Sequence, residues 1–492
     1  MKSRSIFLLL VLNLLTLLSF SQINDIQGKK VFEKEINLFL SDTSLSNASV
    51  SFYAIDLITN DVIAQINPDL MLSPASTMKI FTTAAALEIL GPEYYFTTQI
   101  EYSGKILKDS LLQGNIYIKG GGDPVFYSHL FNTTYSNPDF FSKVAMEIKR
   151  KGIRKIKGSV IGDASYYDDN WVPSTWIIAD VANYYGASPF ALSIMDNEYK
   201  VTFHTGSNAG DSTAIVKLDP DIPEMKIENR VNSQDIKDDQ SVIFGGPFDN
   251  LRIITGSLPL QKNNYEVKGS IPDPPLFAAI SLQKVLFQNG IIVTDSAKSM
   301  DRINILKNDT NPRIQLISIK SPLLKDIVYY TNIKSVNLYA EHLLRQIGLK
   351  QKGKATNQTG TEAINDFWKP YTKRIMMFDG SGLSRFNAVS AKQLVNVLSY
   401  MKKQSKNFEY FYNSLPIASR SGSLSGMFSG SFAENNLRAK SGYMTGVRSY
   451  AGYVRTKSSK EIAFAVIVNN YSSSPYKIKL QIEQLLTKLS EL

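Results

Sequence analysis

Residues 73–80 read SPASTMKI and run straight into FTTAAALEIL (81–90). Ser76 and Lys79 lie three apart at the head of a small, apolar, helix-forming segment. At that spacing both side chains share one helical face, one turn apart. The first turn of a helix offers unpaired backbone N–H groups and the positive end of the dipole, which suits an oxyanion. Ser76 therefore reads as a nucleophile with an amine in reach. It reads equally as a helix cap followed by a surface lysine, since serine is among the preferred caps. Ser281–Lys284, Ser399–Lys402 and Ser474–Lys477 repeat the spacing, the first two inside helical patterns and the third at the start of the last helix. Context has to separate Ser76 from them.

Upstream, VFEKEINLFLSD (31–42) has apolar residues at helical spacing, and ASVSFYAIDLITNDVIAQI (48–66) reads as two strands around a polar turn at Thr59-Asn60-Asp61. The C-terminus mirrors this. SYAGYVRT (449–456) and EIAFAVIVNN (461–470) are strands, and YKIKLQIEQLLTKLSEL (476–492) is a closing amphipathic helix. Helices and strands at both ends suit an antiparallel sheet built from both termini and covered by helices, an α+β architecture. From Tyr94 to Leu306 short strands and turns dominate, interrupted by one helical stretch, PPLFAAISLQKVLFQNG (274–290). The expected organisation is one domain of residues 22–93 and 307–492, with 94–306 inserted as one or two β-rich subdomains. From SIKSPLLKD (318–326) onward the pattern reads as helical.

The 492 residues are too many for one ordinary core. The N-terminus, MKSRSIFLLLVLNLLTLLSFSQ, has a basic start, a short apolar run and small residues at a cleavage spacing. It reads as a secretory signal peptide over 1–21, with an uncleaved anchor as the alternative. No later segment is apolar enough to span a membrane. The absence of cysteine excludes disulfides, thiolate nucleophiles and Cys-zinc sites. His129, His204 and His342 are far apart and form no HExxH-type pair, so a zinc peptidase is not expected. The net charge of +10 comes from scattered Lys and Arg without a basic-aromatic block, which argues for a cationic surface and against nucleic-acid binding.

Two further stretches raise Ser76 above its look-alikes. Ser335-Val336-Asn337 stands where a loop passes into a helical pattern, and Lys440-Ser441-Gly442 stands on an expected strand. Taken singly, Asn337 is a helix cap and Lys440 an exposed strand charge; Ser405-Lys406-Asn407 also matches the first pattern. Together with Ser76 they occur in a fixed order, each at an element boundary, the first before the long insertion and the others after it.

Ser-x-x-Lys, Ser-x-Asn and Lys-Ser/Thr-Gly are the three motifs of penicillin-binding proteins and serine β-lactamases. With its large insertion after the first motif, the chain resembles the class C low-molecular-mass penicillin-binding proteins, the D-alanyl-D-alanine carboxypeptidase/endopeptidase family. GNIYIKGGGDP (114–124), GSVIGDASYYDD (158–169), YGASPFALSIMDNE (185–198), DGSGLSR (379–385) and LPIASRSGSL (415–424) are similar to that family too. Where some relatives carry a small polar residue and Gln after the third motif, this chain has YMTG (443–446). It has no ExxLN-like segment of the kind class A β-lactamases use for deacylation.

The resemblance implies attack by Ser76 on the penultimate carbonyl of a stem peptide ending in D-Ala-D-Ala. Lys79 would be the base, Asn337 would orient it, and Ser335 would relay the proton to the leaving nitrogen. The N–H groups of Ser76 and Tyr443 would hold the oxyanion, Lys440 and Ser441 the terminal carboxylate, and Gly442 would leave the strand edge open to the substrate backbone. No metal or organic cofactor would be needed, and β-lactams would acylate Ser76. Arg385 is a candidate for a diaminopimelate carboxylate, against an ordinary loop arginine; Asp180 and Tyr185 would reach the site from the insertion. Peptidoglycan stem peptides are the implied partner, and the periplasm or cell envelope the implied location. The alternatives are a serine β-lactamase and a non-catalytic wall-binding protein.

Overall fold

A computed structural model describes residues 30–131, 140–167, 171–300 and 312–492. The signal peptide expected over 1–21 lies outside these residues. Both ends of the chain build one antiparallel five-stranded sheet, in the order Arg438–Met444, Val447–Arg455, Glu461–Asn469, Ser49–Asp56, Val62–Ile66. The expected turn at 59–61 joins the last two.

This sheet is buried on both faces, which is why its inner strands are almost wholly apolar. Side chains alternate across a strand. Ile462, Phe464, Val466 and Val468 accordingly point into one core with Phe52 and with Ile478, Ile482 and Leu486 of the terminal helix, Pro475–Ser490. Ala463, Ala465 and Ile467 point the other way, into a core with Phe81, Ala84 and Ala85 of the Lys79–Ile89 helix. The helix laid on that face is Ala391–Lys403, and the Lys79–Ile89 helix, buried all round over most of its length, sits in the same core among helices. Around it pack Leu324–Ile333, Asn337–Lys352 and Ala391–Lys403.

A second apolar core lies elsewhere. Strand residues Ile100, Ile118 and Val160 pack there with Ala278, Leu282 and Leu286 of the Pro274–Gln288 helix. Residues 313–320 differ from the sequence expectation. They form a strand pairing antiparallel with Thr97–Ser103, so the helical reading fails over 318–320 and helix begins only at Leu324. The alternation of RIQLISIK suits a strand, and the sheet partner that selects it lies more than 200 residues upstream. Among the described residues no helix is long and apolar enough to cross a membrane.

Candidate active site

Ser76 does not sit in the first turn of an α-helix. It lies on a 3-10 turn, Ala75–Met78, that feeds the α-helix beginning at Lys79. Pro74 precedes it, and Ala75 is held at φ 47°, a left-handed conformation that a residue with a side chain adopts only under outside constraint. The neighbouring strand supplies that constraint. Ser449 Oγ donates to the Pro74 carbonyl at 2.6 Å, and Thr77 Oγ1 donates to the same oxygen at 2.8 Å.

Gly442, on the edge strand, lets the two elements meet. A Cβ there would stand 2.4 Å from the Pro74 carbonyl, 2.3 Å from Ser449 Oγ and 3.0 Å from the Ser76 nitrogen. The third motif thus needs glycine for the approach of the strand to the nucleophile turn, a reason different from the open edge inferred above. Gly442→Ala is expected to push the Ser76 turn out of line, slowing acylation at least about tenfold and destabilising by about 1–3 kcal/mol, as overpacking does. A labelling time course and a thermal melt check this.

Lys79 is fully buried at the base of the site. Its Nζ lies 3.1 Å from Ser76 Oγ, 2.5 Å from Asn337 Oδ1 and 2.8 Å from the Ser381 carbonyl. Burial brings its pKa down to about 7, against the upward pull of Asp379 and Glu341. The two carbonyl-type oxygens can only accept, so they take two of the amine's hydrogens. In the neutral amine the remaining position, a lone pair, faces the Ser76 hydroxyl.

Asn337 opens the Asn337–Lys352 helix and Ser335 precedes it at φ 58°, again left-handed. The Asn337 amide is used at both ends, its Nδ2 donating to the Tyr185 carbonyl at 2.8 Å. Lys440 is buried on the edge strand. Its Nζ donates to Ser335 Oγ and to the Ser441 carbonyl, each at 2.9 Å. Burial, with Lys79 nearby, holds its pKa well below the ordinary lysine value. It therefore stands behind Ser335 rather than open to a ligand carboxylate. Ser441 Oγ donates to Ser423 Oγ at 2.6 Å.

Ser76, Ser335, Asn337, Tyr443, Asp180, Tyr185 and Arg385 line one cleft of about 790 Å³. Lys79, Lys440, Ser441 and Gly442 lie beneath or beside it. Burial raises the Asp180 pKa, with Arg385 and a hydrogen bond from Tyr185 pulling the other way. Burial first, then Asp180, pushes the Tyr185 hydroxyl up to about 12. The look-alike pairs stay ordinary. Ser281 Oγ donates to its own helix at Phe277, Ser399 is a residue of the Ala391–Lys403 helix, and Ser474 caps the terminal helix through Lys477 N.

Several supporting residues escaped the sequence reading. Asp379, buried in the 379–385 loop, accepts from Gly382 N, Ser384 N, Asn387 Nδ2 and Trp176 Nε1, at 2.8, 2.5, 2.7 and 2.8 Å. The Gly382 bond fixes the peptide whose carbonyl, that of Ser381, holds Lys79. Ser449, Ser423 and Glu341 were missed too. Asp379 and Ser423 lie within the family-like stretches DGSGLSR and LPIASRSGSL, and Ser449 heads the strand SYAGYVRT, while Glu341 carries no local signal.

An α+β core that brings a serine, two desolvated lysines and an asparagine to the edge of its sheet has the design of the penicillin-binding serine enzymes. Comparison agrees. The crystal structure of penicillin binding protein 4 (dacB) from Haemophilus influenzae superposes with a TM-score of 0.74, over 90% of this chain and 97% of that one, at 24% identity. The D-alanyl-D-alanine carboxypeptidase of Actinomadura sp. (strain R39) is 26% identical over 491 residues, 95% of this chain and 86% of that protein. D-alanyl-D-alanine carboxypeptidase DacB of Haemophilus influenzae is 26% identical over 453 residues, 88% of each. Residues 32–489 match the D-Ala-D-Ala carboxypeptidase 3 (S13) family. The chain belongs to that family, and with it to the serine-type D-alanyl-D-alanine carboxypeptidases.

Proposed function

We propose that this enzyme cleaves the terminal D-Ala-D-Ala amide of peptidoglycan stem peptides by way of an acyl-enzyme on Ser76. The observation that carries the reading is the placing of Lys79 Nζ, with two carbonyl-type acceptors on one side and the Ser76 hydroxyl on the other. Neutral Lys79 takes the Ser76 proton as Oγ attacks the penultimate carbonyl. The developing oxyanion is held by the backbone N–H groups of Ser76 and Tyr443. As the C–N bond breaks, Ser335 relays to the leaving nitrogen the proton that Lys79 took, which returns the amine to its neutral form, and the Ser335 hydroxyl is biased by Lys440 at 2.9 Å. Asn337 orients Lys79 and is itself anchored to Tyr185, which ties the base to the middle of the chain. Ser441 receives the terminal carboxylate at the strand edge, with the Lys440 amine behind it. Water then releases the acyl group.

Carboxypeptidase and cross-link endopeptidase reactions differ only in the leaving amine, so the same groups serve both. The Asp180–Tyr185–Arg385 wall of the cleft suits a side chain carrying both an amine and a carboxylate, such as diaminopimelate. β-Lactams acylate the same serine. A solved complex of the Haemophilus influenzae protein holds a novel β-lactam. The place of action is the cell envelope. Incubation with a peptide ending in D-Ala-D-Ala, with free D-Ala assayed, tests the reading, and mass spectrometry of the penicillin adduct locates the serine. Rapid turnover of penicillin would favour a β-lactamase; neither labelling nor D-Ala release would favour a wall-binding protein.

The state of Lys79 sets the pH dependence. Above a pKa of about 7 the amine is neutral and the acylation rate levels off; below it the proton occupies the lone pair. The rate is expected to fall about tenfold per pH unit on the acid side. Stopped-flow acylation between pH 5 and 9 measures this; a rate that rises toward acid would contradict a neutral lysine base.

A further inference from the structure

Asn337, Glu341 and Arg345 are spaced four apart, so they form one stripe along the Asn337–Lys352 helix. Glu341 and Arg345 are buried in a helix whose other inward residues are mostly core. A carboxylate does not enter an interior without a function or a partner that compensates its lost hydration. Its partner on the same helix is weak: Arg345 Nη1 stands 3.8 Å from Glu341 Oε2. On the other side, Glu341 Oε1 accepts from Ser381 N at 2.8 Å. Ser381 is the residue whose carbonyl holds Lys79 Nζ. The loop comes this close because Gly380 has no side chain: a Cβ there would stand 2.7 Å from the Ala340 carbonyl.

We propose that Glu341 is a positioning residue for the base, an ionised counter-charge beneath Lys79 that also holds the loop from which Ser381 grips the amine. The charged and titratable groups around it are Lys79 on the nucleophile helix, Asp379 on the loop and Arg345 on its own helix. Lys440 faces Lys79 from the edge strand. Burial pushes the amine toward neutrality, and the carboxylates push it back toward charge. Lys79 therefore gives up its proton near neutral pH. For Lys440, burial and the neighbouring Lys79 both act to lower its proton affinity. Asp379 is occupied by four donors, three from its own loop and the fourth Trp176, whereas Glu341 spans helix and loop. Burial and Asp379 raise the Glu341 pKa to about 7 while Arg345 lowers it, so Glu341 is ionised on the plateau and takes up its proton over the same range as Lys79.

The inference rests on the reading of Lys79 as base, and the test keeps the two apart. Glu341→Gln retains an oxygen for Ser381 N and removes only the charge. Removing an anion lowers the proton affinity of the amine, so the acid limb of penicillin acylation is expected to move to lower pH by about one unit. The plateau should stay within about threefold of the wild type and KM should be unchanged. Glu341→Ala, which also drops the loop, should lose rate at every pH. A Glu341→Gln profile superimposed on the wild type would overturn the proposal, and so would a limb moved to higher pH. If Glu341→Gln does not fold, infrared spectra of the wild-type enzyme with 13C-labelled glutamate replace it. They should show every buried glutamate ionised on the plateau, and a protonated glutamate band there would overturn the proposal. Failure of the base assignment itself shows separately, as acylation that survives Lys79→Arg.

Discussion

Ser76→Ala is expected to release no D-Ala and to take up no labelled penicillin, with circular dichroism and thermal melting unchanged. Ser76 is half-buried at the floor of the cleft, and its hydroxyl bonds only to Lys79 among the described residues, so removing one oxygen costs the fold little. It costs the reaction the atom that forms the covalent bond. Loss of a nucleophile that acts as one unit with its base lowers kcat on the order of 10⁴–10⁶-fold. Ser281→Ala, Ser399→Ala and Ser474→Ala serve as controls. The first and last remove local backbone bonds and are expected to change melting slightly and labelling not at all. Labelling that persists in Ser76→Ala would remove the nucleophile assignment.

Lys79→Arg carries the second large effect. Guanidinium stays charged at any working pH, so the variant keeps a cation and loses the ability to accept a proton. Acylation should drop about 10²–10⁴-fold, the range of a lost general base. The rate that remains should no longer follow the limb near pH 7. The site is closed around the amine, so the melt has to be recorded alongside the rate to separate lost chemistry from lost folding. Near-normal acylation in Lys79→Arg would hand the role of base to Lys440, the other desolvated amine.

Much of the site was legible as sequence because its reacting groups come in short local spacings. Ser76 and Lys79 share one turn, Ser335 and Asn337 flank one helix start, and Lys440 to Gly442 occupy one strand. The α+β class was legible for a similar reason. A sheet buried on both faces writes itself as apolar runs such as EIAFAVIVNN, and a helix buried among other helices as FTTAAALEIL. The residues that tune the chemistry left no such trace. Glu341 is one acidic residue in an amphipathic helix until the loop at Gly380 closes over it. Trp176 becomes a donor to Asp379 only when a segment some 200 residues away in sequence folds back onto it. The strand at 313–320 depends on its pairing with 97–103.

Even Gly442 and the 3-10 turn at Ser76 answer to a neighbour, the approach of a strand to a turn more than 350 residues earlier. Local spacing determines which atoms can react, because bonded geometry sets which side chains share a face. Proton affinity and orientation come from burial and from charges brought in by distant chain, and those exist only once the tertiary structure has closed.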